Sequence, residues 1–181
     1  MNQEALLLDK LKAEDTKNIA FNELVTLYKE RLYWHIRHIV KSHDDTDDVL
    51  QNTFIKVYKN INGFKGESKL YSWMYRIATN EAITFINKRA KQMNLNNEEA
   101  QTMAIQNLQS DVYFEGNDIQ LKLQRAIATL PEKQQLIFNM KYFQDLKYKD
   151  MSDILETSEG ALKASYHIAV KKIEALLKRE Y

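Results

Sequence analysis

Histidine and aspartate side chains gather in one stretch of the sequence, at spacings that could bind a metal ion. His35 and His38 are three residues apart, which would place both imidazoles on one face of a helix. Four carboxylates follow closely: Asp44, Asp45, Asp47 and Asp48. Hydrolytic metal sites usually collect ligands from several elements, and no second cluster of ligand residues occurs in the sequence. We therefore expect no metal site and no enzyme, with a metal-dependent enzyme as an alternative.

Aromatic and basic residues occur together in residues 65–91, a combination that could bind nucleic acid. Residues 65–91 carry six basic and two acidic side chains, together with Tyr71, Trp73 and Tyr75. Residues 93–118 carry no Lys or Arg and five acidic side chains. The net charge of +1 therefore hides a strong local asymmetry. The acidic segment, which is also rich in Asn and Gln, is typical of a linker.

The elements that must position these residues are predicted to be helices. The chain has only four glycines and one proline, and strands joined by tight turns usually need more of both. Apolar residues such as Leu50 and Phe54 instead recur at spacings of three and four, the period of an amphipathic helix. We predict an all-α protein of two small helical domains, residues 1–92 and 119–181, joined by the linker 93–118.

Composition also limits where the protein can act. The chain contains no cysteine, which excludes a disulfide framework and a thiolate site. No apolar run approaches the ~20 residues that a membrane-spanning helix needs. The first residues carry charges of both signs and lack the apolar core of a signal peptide. These features predict a cytoplasmic protein.

The C-terminal domain has the pattern of a helix-turn-helix. Pro131 stands where proline is well tolerated, at the start of a helix. A short helix around Tyr148 is followed by Thr157 or Ser158, either of which could cap a longer final helix. Subtracting the apolar stripe of this final helix leaves one mostly basic face: Lys163, Ala164, His167, Ile168, Lys171 and Lys172. Such a face suits the DNA major groove, although a plain helical hairpin fits the periodicity equally well.

Two stretches of the sequence resemble one known family. Residues 130–177, LPEKQQLIFNMKYFQDLKYKDMSDILETSEGALKASYHIAVKKIEALL, resemble the promoter-reading domain of bacterial sigma factors. Residues 42–91, SHDDTDDVLQNTFIKVYKNINGFKGESKLYSWMYRIATNEAITFINKRAK, resemble their core-binding and melting domain. The order of the two is similar to the extracytoplasmic-function group of the sigma-70 family. The resemblance covers roughly residues 20–92 and 119–178, and it implies a promoter-specificity subunit of RNA polymerase without catalysis of its own.

The resemblance implies three partners: RNA polymerase core enzyme, through its β′ clamp and β subunits, promoter DNA, and an anti-sigma factor. It implies no cofactor and no small-molecule substrate. The residues that correspond to the clamp-binding helix are Asp47, Asp48, Gln51, Asn52, Ile55 and Tyr58. Asp47 and Asp48 are also expected in the first helical turn, where carboxylates favour the positive end of the helix dipole. Leu50, Phe54 and Val57 are expected in the core.

In this family, a loop captures a base flipped from the −10 element, and the helix after it lines the melted strand. The loop corresponds to residues 62–69. Aromatic faces and amides could replace the stacking and pairing that a flipped base loses. The −10 residues implied here are Phe64, Lys65, Ser68, Asn80, Lys88 and Arg89. Trp73 and Tyr75 have the helical spacing of core residues, which favours a mainly structural role.

The six exposed residues of the final helix are those that the resemblance assigns to the −35 element. Glu156 stands where the family often has a turn glycine, which predicts a differently shaped turn. Ile168 and Val170 replace commonly basic positions, which predicts fewer phosphate contacts. The linker is expected to thread through the basic channels of polymerase, with a solvated spacer as the alternative. The alternative function is a helix-turn-helix regulator that binds duplex DNA on its own.

Overall fold

The computed structural model describes residues 3–96, 99, 102–103, 105–106 and 118–179, with the side chain of Arg179 excepted. Within these residues every regular element is helical, which confirms the predicted all-α class. The helices are α1 (Gln3–Lys12), α2 (Lys17–Val40), α3 (His43–Asn60), α4 (Leu70–Gln92), α5 (Asp118–Ala128), α6 (Glu132–Tyr142), α7 (Tyr148–Leu155) and α8 (Glu159–Arg179), with a 3-10 turn at Ile61–Gly63. Most of the predicted linker lies outside the described residues. No described helix is long and apolar enough to cross a membrane.

The N-terminal unit is a bundle of α1 to α4. Each of its three long helices buries the stripe that the three–four spacing predicts, so Leu24, Leu50 and Ala78 are almost fully buried. Phe54 and Val57 are buried with them, as expected. Ser42 caps the N-terminus of α3, because its hydroxyl accepts a long hydrogen bond of 3.5 Å from the Asp45 amide.

The beginning of α3 corrects one prediction. Because Ser42 caps the helix, its first turn holds Asp44 and Asp45. Asp47 and Asp48 lie one turn further on, and the prediction that they occupy the first turn was wrong. Their carboxylates are therefore not explained by the helix dipole, which acts mainly within the first turn.

The C-terminal unit consists of α5 to α8. Pro131 is the residue immediately before α6, one position earlier than the sequence predicts. Ser158 caps α8, because its hydroxyl accepts a hydrogen bond of 3.3 Å from the Ala161 amide. Leu162, Ala169 and Ile173 form the buried stripe of α8, as predicted. Helices α7 and α8, with the turn between them, are the predicted helix-turn-helix.

The two units pack against each other through a shared apolar core. Side chains of α6, α7 and α8 belong to the same buried cluster as the core of the N-terminal unit. These side chains are Leu136, Ile137, Met140, Met151, Ile154 and Leu162. Helix α7 lies directly on α4. The structure is therefore a closed arrangement, in which the first helix of the helix-turn-helix covers part of the helix predicted to meet the melted strand.

Candidate nucleic-acid and polymerase interfaces

Helix α8 presents its predicted DNA face to solvent. All six residues of that face are exposed: Lys163, Ala164, His167, Ile168, Lys171 and Lys172. Lys163 lies 3.8 Å from the carboxylate of Glu159 and 5.5 Å from the ring centre of Tyr148. Both neighbours belong to the same unit, so Lys163 remains accessible. The exposure of the face is confirmed, while its contact with DNA stays a prediction.

The turn before α8 depends on an unusual backbone conformation at Glu156. This residue ends α7 with φ 50° and ψ 42°, in the left-handed region that glycine adopts readily and other residues rarely do. The backbone therefore has the conformation for which a glycine is suited, although a glutamate occupies the position. The predicted change of turn shape is not seen at this residue. Glutamate in place of glycine instead adds a carboxylate to the turn.

Helix α3 exposes an acidic face on the N-terminal unit. Five of its six predicted polymerase-binding residues are exposed: Asp47, Asp48, Gln51, Asn52 and Ile55. Ile55 retains 43 % of its accessible surface in spite of its large apolar side chain. An apolar residue surrounded by carboxylates and amides has the composition of an interface centre with a polar rim.

Tyr58, the sixth residue of that set, is half-buried and already engaged. Its hydroxyl donates a hydrogen bond of 2.8 Å to Asn18, and the ammonium of Lys17 lies 4.4 Å from its ring centre. Phe21 contacts the ring edge-to-face. Tyr58 therefore joins α3 to the start of α2, and only part of its surface is available to a partner.

The structure does not support the predicted stacking of Phe64 on a flipped base. Phe64 is only 4 % exposed, belongs to the main core and packs on Trp73 at 5.3 Å between ring centres. Its carbonyl accepts a hydrogen bond of 2.9 Å from Lys12. Trp73 itself is half-buried and Tyr75 is buried, so both are mainly structural, as predicted.

The other predicted −10 residues remain at the surface of the loop and of α4. Lys65, Asn80 and Lys88 are exposed, and Ser68 is half-buried. Gly66 has a φ of 76°, which lets the loop turn sharply between Lys65 and Ser68. The loop therefore presents small polar groups rather than an aromatic platform.

Arg89 differs from this group because it already has an acidic partner. Its guanidinium forms an ion pair with Asp45 at the start of α3. The side chain of Arg89 is 39 % exposed and that of Asp45 is 20 % exposed. A contact between Arg89 and a DNA phosphate would require this ion pair to break or to be shared.

Two cations of α4 and the loop contact the C-terminal unit, and sequence reasoning missed both. Lys69 Nζ lies 2.9 Å from Asp150 Oδ1, and Arg76 Nη1 lies 2.6 Å from Glu156 Oε1. The partners are about eighty residues apart in the chain. No spacing pattern links such distant residues, so only the basic character of 65–91 gave any signal.

Asp150 has an unusually stabilised negative charge for a buried residue. Burial raises the pKa of its carboxyl, but hydrogen bonds from Tyr71 and Lys69 and the positive charge of Lys69 together lower that pKa below its usual value. The same carboxylate raises the pKa of Lys69. The contact between the two units therefore contains a firmly ionised carboxylate at neutral pH.

The histidines considered as metal ligands have separate structural roles. His35 is fully buried, with Nε2 2.8 Å from Thr79 Oγ1 and Nδ1 3.1 Å from Gln144 Oε1. Burial lowers the pKa of His35 to about 3. His38 instead stacks on Phe143. Among the described residues, no group of His, Asp and Glu side chains is arranged to hold a metal ion.

Comparison with known families matches both units. Residues 24–92 match the family Sigma-70 region 2, and residues 120–173 match the family Sigma-70, region 4. The first match contains α3, the loop and α4, and the second contains the helix-turn-helix. The predicted polymerase and −10 residues therefore lie in one region of the family, and the predicted −35 residues lie in the other.

Curated relatives cover nearly the whole chain. The chain is 30% identical over 176 residues to the ECF RNA polymerase sigma-E factor of Haemophilus influenzae, covering 93% of this chain and 92% of that protein. It is 31% identical over 156 residues to the ECF RNA polymerase sigma factor SigW of Bacillus subtilis, covering 82% and 83%. Its fold matches that of the sigma factor RpoE solved with the anti-sigma factor NepR from Bartonella quintana, with a TM-score of 0.65, 20% identity, and 87% and 96% of the two chains covered. The chain belongs to the extracytoplasmic-function sigma factors of the sigma-70 family.

Proposed function

We propose that this chain directs bacterial RNA polymerase core enzyme to specific promoters and helps to open the DNA for initiation. The observation that carries this function is the presence of both sigma-70 regions, in order, in a chain that matches known sigma factors over most of its length. Each region presents a charged, exposed helix face. The chain's own role is binding, and polymerase supplies the catalysis.

The acidic face of α3 is the proposed contact with core polymerase. Ile55 would be buried at the centre of this contact, with Asp48 and Asn52 around it. An apolar centre with a polar rim is the usual composition of a protein interface. Asp47 and Gln51 extend the polar rim, and the accessible part of Tyr58 lies at its end.

The basic face of α8 is the proposed reader of the −35 element. Lys163, Ala164 and His167 lie in the first turns of the helix, where a recognition helix meets base edges. Lys171 and Lys172 lie further along, where phosphate contacts fix the position of the helix without reading sequence. The exposed Ile168 provides an apolar contact instead of a charge.

The −10 element is proposed to contact the loop and one face of α4. Lys65, Ser68 and Asn80 would contact the flipped base and its neighbours, and Lys88 would contact a phosphate. Phe64 is left out because it is buried. Arg89 would contribute only after it leaves Asp45.

The proposed division of labour follows the two units. Residues 1–92 would bind polymerase and melt the −10 element, and residues 119–181 would read the −35 element. The acidic segment 93–118 would join them by occupying basic channels of polymerase. Because polymerase and promoter DNA are cytoplasmic in bacteria, we propose the cytoplasm as the site of action.

An anti-sigma factor is the proposed negative regulator. The Bartonella sigma factor of similar fold was solved with such a partner. In this chain a groove of about 850 Å³ runs between the two units, lined by Trp34, His38 and Phe143 together with charged residues. Trp34 is half exposed there. An aromatic groove of this kind suits an amphipathic helix.

Transcription from a randomised promoter library tests the function directly. Purified core polymerase with the full chain should initiate at promoters that share −10 and −35 sequences, while core polymerase alone should not. The Ile55→Asp variant should bind core polymerase at least about tenfold more weakly, the size of a hot-spot loss. Lys59→Ala, an exposed change on the same helix, is the matched control.

The free chain should bind duplex promoter DNA only weakly at physiological salt. Its net charge is only +1, and few phosphate contacts release few counterions. Tight and sequence-selective duplex binding by the free chain, combined with no binding to core polymerase, would instead favour a regulator that acts on its own.

A further inference from the structure

Helix α1 contacts both flanks of the loop that is proposed to capture a −10 base. The helix packs on α2 and on the 3-10 turn that leads into the loop. Its buried residues are Leu7 and Leu11, which belong to the same apolar cluster as Phe64 and Leu70. Phe64 begins the non-helical part of the loop, residues 64–69, and Leu70 begins α4. The core therefore joins α1 to the backbone on either side of this segment.

Lys12 of α1 holds the first end of the segment. Its ammonium donates a partly buried hydrogen bond of 2.9 Å to the backbone carbonyl of Phe64, 52 positions away in the chain. A hydrogen bond from a charged donor is stronger than one between neutral groups. Lys12 therefore fixes the backbone immediately before the exposed residue Lys65.

Glu4 of α1 holds the other end of the segment. Its Oε1 accepts a hydrogen bond of 2.7 Å from the backbone amide of Leu70. This amide belongs to the first residue of α4 and has no acceptor within the helix. Lys69, the residue before it, gives no side-chain cap, and the first turn of α4 contains no acidic residue. Glu4 therefore supplies, from a different helix, the negative cap that the local sequence of α4 lacks.

The two contacts come from one short, rigid element. Glu4 and Lys12 are eight residues apart, which corresponds to about 12 Å along a helix. Lys65 and Ser68, which are proposed to contact the flipped base, lie between the two points of contact. Within the loop, the Ser68 hydroxyl donates a hydrogen bond of 3.5 Å to the Lys69 carbonyl, which is at the long limit for such a bond. Helix α1 therefore supports the loop more firmly than this internal bond does.

We propose that Glu4 and Lys12 are positioning residues for promoter opening, which hold residues 64–69 in the shape that accepts a base flipped from the −10 element. Neither side chain touches DNA in this role. The inference rests on the proposed function. It extends that function to α1, which lies outside the match to Sigma-70 region 2 at residues 24–92.

A loop that is held in its bound shape lowers the cost of capturing a base. The flipped base loses its stacking and pairing, and the protein must compensate for that loss. A loop that is already ordered loses less conformational freedom when the base enters. Loss of either contact should therefore weaken base capture, while the polymerase contact of α3 and the −35 contact of α8 are retained.

Amide hydrogen exchange on the free, full-length chain tests the contact at α4. In Glu4→Ala the Leu70 amide loses its acceptor, so it should exchange about tenfold faster or more. Glu4→Gln keeps a side-chain oxygen at this position and should stay closer to wild type. Asp9→Ala removes an exposed carboxylate from the same helix and is the matched control, with exchange at Leu70 unchanged. Wild-type exchange at Leu70 in a folded Glu4→Ala protein would overturn the proposal.

Open-complex lifetime tests the positioning role. The measurement uses holoenzyme on a promoter selected from the randomised library. Glu4→Ala and Lys12→Ala should each shorten the lifetime about three- to tenfold, the size of a lost charged hydrogen bond that is partly exposed. Affinity for core polymerase should change by less than about twofold, because α3 is untouched.

Two further variants of α1 give the comparison its controls. Lys12→Arg keeps a charged donor and should recover most of the lifetime. Lys10→Ala removes an exposed ammonium from the same helix and should leave the lifetime unchanged. Circular dichroism verifies that each variant is folded. A wild-type lifetime in both Glu4→Ala and Lys12→Ala would contradict the positioning role.

A coupling measurement separates a shaped base site from a general loss of stability. Single strands that carry the −10 element receive one abasic site at a time, and the affinity of holoenzyme is measured for each. Wild type should lose most affinity where the abasic site replaces the captured base. Glu4→Ala should lose less at that position and the same as wild type elsewhere. Equal losses at every position in the two proteins would overturn the proposal.

The two levels of the inference fail in different ways. If wild-type holoenzyme initiated at no promoter of the library, the proposed function would fail, and the positioning role with it. Hydrogen exchange at Leu70 is measured without polymerase and would still show whether Glu4 holds the loop. If instead the wild-type chain directs initiation and the variants behave like wild type, only the role of α1 is wrong.

Discussion

Helices α4 and α8 are both basic and both predicted to meet DNA, but the structure places them in opposite situations. The DNA face of α8 is exposed throughout, and its one ion pair is within its own unit. Three of the six cations of residues 65–91 instead pair with other elements: Lys69 and Arg76 with the C-terminal unit, and Arg89 with the start of α3. The predicted duplex-binding face is therefore fully exposed, whereas part of the basic surface around α4 is already paired with carboxylates.

This difference is consistent with the order of events that the proposed function requires. Duplex DNA is present before initiation, so a −35 reader can be preformed. A melted −10 strand exists only after polymerase has engaged, and an α4 surface free at all times would have no strand to bind. The comparison therefore predicts that changes at buried residues of α4 and its loop act mainly through the fold, and that changes at exposed residues of α4 and α8 act mainly through DNA.

The largest expected effect is that of Phe64→Ala. Phe64 is buried against Trp73, so its removal should lower the free energy of unfolding by about 3–5 kcal/mol, as for other large aromatic core residues. Chemical denaturation of the full chain measures the change. Lys65→Ala, an exposed neighbour, should change stability by less than about 0.5 kcal/mol.

Asn80→Ala, in the same unit, is expected to affect promoter melting, whereas Phe64→Ala is expected to affect stability. Because Asn80 is exposed, its loss should leave the stability and the core-polymerase affinity nearly unchanged while lowering open-complex formation. Permanganate footprinting of the melted region measures it. A stable, normally melting Phe64→Ala protein would show that the closed core around the loop is not the one present in solution.

The second effect is a loss of stability in acid that depends on His35. His35 lies between Thr79 of α4 and Gln144 of the C-terminal unit, and burial lowers its pKa to about 3. The unfolded chain therefore binds a proton on His35 below about pH 6.5, where the folded chain does not. Stability is full above that pH and should fall by up to about 1.4 kcal/mol per pH unit between 6.5 and 3.

Denaturation at several pH values compares His35 with a histidine on α8. His35→Gln should flatten the dependence on pH between about 4.5 and 6.5. His167→Gln, at an exposed position, should leave the wild-type slope in place. An equal slope in wild type and His35→Gln would show that His35 is not buried between the units in solution.

The third effect belongs to α8. Lys163→Ala should change which −35 bases are preferred, at about 1–3 kcal/mol for a lost base contact. Lys171→Ala should weaken all promoters nearly equally and reduce their salt dependence. Selection of −35 sequences from a randomised library with each variant holoenzyme separates the two. A base preference unchanged by Lys163→Ala would contradict its assignment as a base reader.

Sequence reasoning was most successful where local periodicity decides the structure. The spacing of Leu162, Ala169 and Ile173 fixes which side of α8 is buried, and the opposite face is then determined. The cap at Ser158 is equally local. The same reasoning failed by one turn at Asp47 and Asp48, because Ser42 was not recognised as the cap of α3.

Contacts between distant segments could not be predicted in this way. Phe64 was expected at a base pocket because its loop resembles a base-capturing loop, but it packs into a core to which several helices contribute. The partners of Lys69 and Arg76 lie some eighty residues away, and hydrophobic spacing carries no information about such pairs. Glu156 has a left-handed backbone conformation. The only sequence signal for it was that the family often has a glycine at this position.

The smallest expected effect concerns Arg89, the predicted strand contact held by Asp45. Partly exposed ion pairs contribute at most about 1 kcal/mol, so Asp45→Asn should cost little stability. It should release Arg89 toward the promoter and stabilise open complexes at low salt by no more than about fivefold, with the gain lost at high salt. Asp44→Asn, a change at the exposed neighbouring position, is the control. Dissociation of open complexes after a heparin challenge provides the measurement. If Asp45→Asn destabilised open complexes instead, Arg89 would be needed to position α3 for polymerase rather than to contact the strand.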